Sequence, residues 1–73
     1  MGKVRVFSGQ QIADILMHHG FRVVRRRGSH IVLQKSSPTG TLTVPIPDHS
    51  EVRIGTLQSI IRQSGVPRSA FEV

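Results

Sequence analysis

Two segments of the chain carry apolar residues at the spacing of one helical face. In the first segment these residues are Ile12, Ile15 and Leu16. Ser8 suits an N-cap and Gln11 follows three positions later, so the pattern predicts a helix that starts near Gly9. Gly20 fits the left-handed position that ends a helix, and Phe7 and Ile12 fit the two positions of a hydrophobic staple.

After this helix the pattern changes to the alternation that is typical of strands. Phe21 to Arg27 and Ser29 to Lys35 flank Gly28, which indicates a hairpin. Side chains alternate between the faces of a sheet, so Ile31 shares a face with Leu33, whereas His30 lies on the other. The more apolar pair should contact the helices, and we therefore expect His30 to face solvent.

A third strand and a second helix complete the pattern. The third strand follows a turn over residues 36–40 and alternates through Leu42, Val44 and Ile46. Pro45 cannot donate to a strand ladder, which places this strand at an edge. The second helical pattern, Leu57, Ile60 and Ile61, begins around Gly55 or Thr56, either of which suits the N-cap. It ends at Gly65, and Phe71 anchors a last turn.

The order helix, three-strand meander, helix predicts an α+β two-layer sandwich. In this fold class a three-stranded antiparallel sheet carries two helices on one face and leaves the other face open. The length of 73 residues fits one domain, spanning residues 1–73. Lys3 to Val6 suit a short edge strand or, within residues 1–7, a mobile tail.

Positive charge is concentrated in the first hairpin. The chain has a net charge of +6, and half of its basic residues lie between Gly20 and Gly40 without a single acidic residue among them. They are Arg22, Arg25, Arg26, Arg27 and Lys35. Such a surface binds phosphate backbones, although a merely solvated run of charge remains the alternative.

The composition also bears on location and on metal binding. The chain has no cysteine, and it shows neither an apolar run of membrane-spanning length nor a signal-peptide core, so we expect a soluble, cytoplasmic protein without a membrane partner. His18 and His19 follow Asp14 at the end of the first helix, which favours a capping role over a metal site. Asp48, His49 and Glu51 form a loop group that suits proton transfer or, more simply, a turn.

The most informative stretch joins the arginines to His30. A guanidinium matches the geometry of phosphate oxygens, and histidine exchanges protons near neutral pH, so a phosphodiester is a substrate that would use both. A basic hairpin with an incidental histidine is the simpler interpretation.

Several short motifs together resemble the HicA toxin family, also called YcfA-like. They are Gly20-Phe21, Arg27-Gly28-Ser29-His30, Val44-Pro45, Gly55-Thr56-Leu57 and Ile60-Ile61-Arg62-Gln63-Ser64-Gly65. The resemblance implies a fold like that of the double-stranded-RNA-binding domain, mRNA interferase activity and a HicB antitoxin as partner. It assigns the catalytic role to His30, with Gly28 and Ser29 shaping its surroundings. The chain departs from the family at Pro47, where a further histidine is frequent, and His49 stands two positions later.

Three hypotheses follow for the function. The first is a metal-independent endoribonuclease toxin, without a cofactor, in which His30 is the general base and Arg25 and Arg27 stabilise the phosphate. Its predicted RNA-binding residues are Arg25, Arg26, Arg27, Gly28, Ser29 and Lys35. The second is a non-catalytic RNA-binding module that uses the same hairpin. The third is a protein-interaction subunit whose positive face is covered by an acidic partner.

Overall fold

The elements follow one another in the predicted order. A computed structural model describes residues 6–72 of the chain. Its elements are helix α1 (Gly9–His18), strands β1 (Arg22–Arg27), β2 (His30–Ser37) and β3 (Gly40–Pro47), helix α2 (Ile54–Ser64) and a short 3-10 helix (Arg68–Phe71). The strands form one antiparallel sheet in the order β1-β2-β3. The predicted α-β-β-β-α arrangement is confirmed, and β3, which contains Pro45, lies at an edge.

The ends of α1 follow from local sequence chemistry. The side chain of Ser8 accepts a hydrogen bond of 3.1 Å from the backbone N–H of Gln11, and the side chain of Gln11 accepts one of 2.9 Å from the backbone N–H of Ser8. This capping box satisfies two of the free N–H groups at the start of the helix. Gly20 has a φ of 93°, which L side chains rarely adopt, and it turns the chain into β1. Both ends of α1 are therefore as the sequence predicted.

Helix α2 begins earlier than predicted. The backbone N–H of Leu57 donates to the carbonyl oxygen of Arg53, so Ile54 already belongs to the first turn and Arg53 occupies the N-cap. The prediction of an N-cap at Gly55 or Thr56 is wrong, because side-chain preference alone did not show where the first helical hydrogen bond forms. Arg53 makes no side-chain capping hydrogen bond.

The core lies between the two helices and one face of the sheet. The sheet contributes four buried side chains to it: Ile31, Leu33, Val44 and Ile46. The helices and the C-terminal turn supply the facing layer, which includes Ile12, Leu16, Leu57, Ile60 and the fully buried Phe71. On the opposite face, Val32 and Gln34 are half-buried and Thr43 and Pro45 are exposed. That face is open, as the sequence predicted.

Phe7 is part of the core. Its carbonyl oxygen accepts a 2.8 Å hydrogen bond from the backbone N–H of Val52, and its ring meets that of Phe71 edge-on at 5.9 Å between centroids. The mobile tail or edge strand expected at residues 1–7 falls largely outside the described residues; Val6, the other described member, is exposed. Within residues 6–72, no helix is both long enough and apolar enough to cross a membrane.

Candidate functional site

His30 is the first residue of β2 and lies on the open face of the sheet. It is exposed, whereas its neighbour Ile31 is buried against the helices, so the prediction from strand alternation is confirmed. Arg27, the last residue of β1, pairs directly with His30. Residues that pair directly across antiparallel strands share a face of the sheet, so the side chains of Arg27 and His30 leave the backbone next to each other.

A two-residue turn, Gly28-Ser29, places Arg27 opposite His30. Gly28 has a φ of 58°, and no other residue type among those described has a positive φ. A glycine at the first central position is typical of a type II′ turn, whose twist matches that of the flanking strands. A Cβ atom at Gly28 would meet nothing within 4 Å, so the backbone conformation, and not crowding, favours glycine there. The turn therefore fixes the spacing between Arg27 and His30.

A β-bulge in β1 divides the arginines between the two faces of the sheet. The register shifts between Val23 and Arg25, which leaves Val24 as the extra residue. Beyond the bulge Arg25 pairs with Val32, a residue of the open face. Before it, Arg22 pairs with Gln34, which faces the same way. Together with Arg27, these arginines form an open-face basic row: Arg22, Arg25 and Arg27.

Arg26 lies on the other side of the sheet. It pairs with the buried Ile31, and its Nη2 donates a 3.0 Å hydrogen bond to Oε1 of Gln10 on α1. Its side chain is therefore directed along the edge of the helical layer, away from His30. The structure separates Arg26 from the two arginines that flank it in the sequence.

Lys35 is also on the helical side. It pairs with Leu42 and shares the face of Leu33, and its Nζ lies 5.7 Å from the centroid of the Phe21 ring. A Cβ atom on Gly20 would lie 3.3 Å from its Cε. Lys35 thus packs over the two residues that precede β1. Of the six residues that the sequence grouped as RNA-binding, the structure brings Arg25, Arg27, Gly28 and Ser29 close to His30 and places Arg26 and Lys35 elsewhere.

A cleft of about 410 Å³ extends from His30 around the end of the sheet. The sheet contributes His30, Pro45 and Pro47 to its lining. The loop after β3 and the start of α2 contribute His49, Glu51, Arg53 and Thr56. An adjoining hollow of about 440 Å³ shares His49, Glu51 and Arg53 with the cleft. Two histidines that lie far apart in the sequence therefore line one cavity.

Backbone contacts hold the two sides of this cleft together. The N–H of Asp48 donates a 2.6 Å hydrogen bond to the carbonyl oxygen of Ser29, which joins the turn before His30 to the loop before His49. The N–H of Gly9 donates a 2.9 Å hydrogen bond to the carbonyl oxygen of His49. A Cβ atom on Gly9 would overlap the carbonyl oxygen of Pro47. The first residue of α1 thus packs directly against the backbone of the loop.

Sequence reasoning did not place His49, Arg53 or Thr56 at the site, and it left Arg22 out of the predicted RNA-binding set. Alternation along β1 gives no sign of the bulge. The loop after β3 approaches Ser29 because His30 pairs with Pro47 at the end of the β2–β3 ladder, which makes Ser29 and Asp48 the next positions; alternation by itself did not fix this register. The Asp48-His49-Glu51 group was the available signal, since it suggested proton transfer as one alternative.

The remaining histidines lie away from the cleft. His18 is exposed in the last turn of α1, where a cation is favoured by the helix dipole. Asp14, one turn earlier, accepts a 3.0 Å hydrogen bond from the side chain of Gln10. In the described part of the chain, no group of three or more histidine, cysteine or acidic residues has the arrangement to hold a metal ion.

Comparison with protein families assigns the chain to one family. The model of the family described as the HicA toxin of bacterial toxin–antitoxin matches residues 9–66, from the first residue of α1 to just beyond α2. The match includes the Gly28-Ser29 turn, His30 and every loop residue that lines the cleft. No curated protein matches the chain. Because the family model covers most of the chain, this protein belongs to the HicA toxin family of bacterial toxin–antitoxin systems.

Proposed function

We propose that this toxin is an endoribonuclease that cleaves mRNA, with His30 as the general base. The observation that carries the proposal is the placement of an exposed His30 directly opposite Arg27 on the uncovered face of the sheet. A polynucleotide can reach this face without any movement of the helices. Imidazole and guanidinium side by side supply a proton acceptor and a fixed positive charge for one phosphodiester.

The reaction uses the substrate's own nucleophile. The ribose 2′-hydroxyl is tethered beside its phosphate, so holding the two groups in line supplies much of the rate enhancement. His30 takes the proton from the 2′-hydroxyl as that oxygen bonds to phosphorus, and the bond from phosphorus to the 5′-oxygen breaks. The 5′-oxygen takes up a proton as it leaves, so the products are a 2′,3′-cyclic phosphate and a 5′-hydroxyl. This route requires neither a metal ion nor a cofactor.

Binding of the RNA depends mainly on the open-face basic row. Arg25 and Arg27 are the candidates for stabilising the charge that develops on the scissile phosphate, and Arg22 extends the row along the backbone. Gly28 and Ser29 place backbone groups beside the same phosphate. Arg26 and Lys35 lie on the helical side and contribute only to the general positive field. We expect binding with little sequence preference and strong salt dependence.

Membership of the family means that the toxin has a cognate antitoxin. We infer that the antitoxin is a HicB-like protein, and that both act in the cytoplasm, where mRNA is present. The net charge of +6 favours an acidic partner surface over the basic row.

A non-catalytic RNA-binding module remains the second candidate, because the basic row by itself supports binding without cleavage. Such a module would not depend on the imidazole. Under this alternative, removing the side chain of His30 leaves every function of the protein unchanged.

One experiment separates the two candidates. After the cut site has been mapped on an mRNA, cleavage is measured on that RNA and on the same RNA with a single deoxyribose at the cut site, using the wild type, His30→Ala and His18→Ala. We expect the deoxyribose to abolish cleavage and His30→Ala to slow it about 10²- to 10⁴-fold. His18→Ala, which removes an exposed histidine outside the cleft, should match the wild type. Persistent cleavage at the deoxyribose would rule out the mechanism, and RNA binding without cleavage by the wild type would favour the binding module.

A further inference from the structure

We propose that His49 is a second catalytic residue, the general acid that protonates the leaving 5′-oxygen. The proposal rests on the proposed function, in which His30 removes the first proton and the departing oxygen still needs one. His49 is exposed and lines the same cleft of about 410 Å³ as His30. A cleft of this volume falls within the usual range for small-molecule sites, about 300–1,000 Å³.

The backbone fixes the two histidines relative to each other. The residues that precede them, Ser29 and Asp48, are joined by the 2.6 Å hydrogen bond from N–H to carbonyl oxygen. The carbonyl oxygen of His49 accepts a further hydrogen bond from Gly9, at the start of α1. His49 is thus attached to both the hairpin and the helical layer. Such attachment holds the backbone on which the two imidazoles are carried in place before the substrate arrives.

The chemistry requires two groups on different sides of the phosphate. In an in-line displacement the attacking and leaving oxygens lie opposite each other across phosphorus, so one side chain cannot reach both at once. His30 approaches from the face of the sheet, and His49 from the loop between β3 and α2. As the bond from phosphorus to the 5′-oxygen breaks, the imidazolium of His49 gives its proton to that oxygen, and His30 leaves the step protonated. The proton taken from the 2′-hydroxyl and the proton delivered balance.

The other side chains of the cleft fit this role poorly. A guanidinium such as that of Arg53 does not give up its protons in proteins, and a carboxyl group has an ordinary pKa well below neutrality, which suits it to accept a proton. Histidine is the residue type that both holds and releases a proton near neutral pH. Arg53 remains available as a positive charge beside the phosphate.

The test uses a leaving group that needs no proton. Cleavage is measured on the mapped RNA and on the same RNA with sulfur in place of the bridging 5′-oxygen, because a thiolate leaves without protonation. His49→Ala should slow cleavage of the natural RNA about 10²- to 10⁴-fold and change cleavage of the sulfur-containing RNA by less than about threefold. His30→Ala should slow both, and His18→Ala neither. His49→Gln, which keeps a polar side chain of similar reach, should repeat the pattern of His49→Ala, and thermal unfolding of each variant reports whether it folds.

Each contrary result has a separate meaning. If His49→Ala and His49→Gln slow both substrates equally, His49 supports the loop and the general-acid assignment is overturned. If they slow neither, the assignment is equally wrong, while His30 retains its role. If the wild type cleaves no RNA, so that no cut site can be mapped, the proposed nuclease function itself fails, and the inference fails with it.

Discussion

The backbone N–H of Asp48 donates a 2.6 Å hydrogen bond to the carbonyl oxygen of Ser29. This contact joins the turn of the first hairpin to the loop that leads into α2, and each partner directly precedes a histidine of the cleft. The candidate site is therefore composite: the hairpin supplies His30, with Arg25 and Arg27 on the same face of the sheet, and the loop supplies His49 and Arg53. Changes that separate the two segments should impair it without removing any side chain from the cleft.

Asp48→Pro should uncouple the two segments. Proline lacks the backbone N–H, so the hydrogen bond to Ser29 is lost, at a cost in stability of about 1 kcal/mol. The preceding Pro47 is in a strand, a conformation that a following proline accepts. We expect RNA cleavage to fall at least about tenfold, since small displacements of catalytic groups have large effects on rate. Asp48→Ala keeps the N–H and is the control; an equal loss in both variants would show that the carboxylate matters and the hydrogen bond does not.

Gly9→Ala should displace the loop from the other side. The new methyl group would overlap the carbonyl oxygen of Pro47 and lie 3.0 Å from Cα of Asp48, both of them backbone atoms that cannot turn away. We expect a loss of about 1–3 kcal/mol in the free energy of unfolding, measured by denaturant titration. Gly55→Ala is the matched control, because Gly55 also lies in the first turn of a helix and a Cβ atom there meets nothing within 4 Å. That variant should be as stable as the wild type or more so. Equal stability of the two variants would argue against the close approach.

The bulge at Val24 predicts unequal roles for three consecutive arginines. Arg25→Gln and Arg27→Gln each remove a charge from the open face, whereas Arg26→Gln removes one that is bonded to Gln10 on the helical side. In a plot of log affinity for single-stranded RNA against log salt concentration, each of the first two variants should reduce the slope by about 0.7. Arg26→Gln should leave the slope nearly unchanged. Equal effects of all three substitutions would mean that the arginines act as one mobile cluster.

Arg53→Ser should stabilise the protein and weaken its activity. Arg53 occupies the N-cap of α2 without making a capping hydrogen bond, and a positive charge at that end opposes the helix dipole. Serine accepts a hydrogen bond there, which is worth about 1 kcal/mol and raises the melting temperature of a domain of this size by about 5 °C. The same substitution removes the positive charge from the cleft, so we expect slower RNA cleavage. A variant that is more stable and fully active would show that Arg53 has no part in the site.

The sequence by itself determined the elements whose causes are local. Ser8 and Gln11 cap α1 through contacts three residues apart, and Gly20 ends the helix because its own φ is positive. Alternation along β2 was sufficient to place His30 on the face opposite Ile31, and the missing N–H of Pro45 to place β3 at an edge. Each of these predictions depends on covalent chemistry or on neighbours within one helical turn, so the linear pattern contains the necessary information.

Only the tertiary structure decided which of these residues lie together. The bulge at Val24 reverses the alternation of β1. It is defined by the pairing of β1 with β2, and the sequence of β1 alone does not predict it. The sequence also placed the start of α2 too late, at Gly55 or Thr56 and not at Ile54, because a side-chain preference does not locate the first helical hydrogen bond. His49 and Arg53 enter the site because the loop after β3 bonds to Ser29 and rests on Gly9. Contacts between distant segments depend on how the whole chain packs, which is why local patterns could find His30 but not the cleft that it shares with His49.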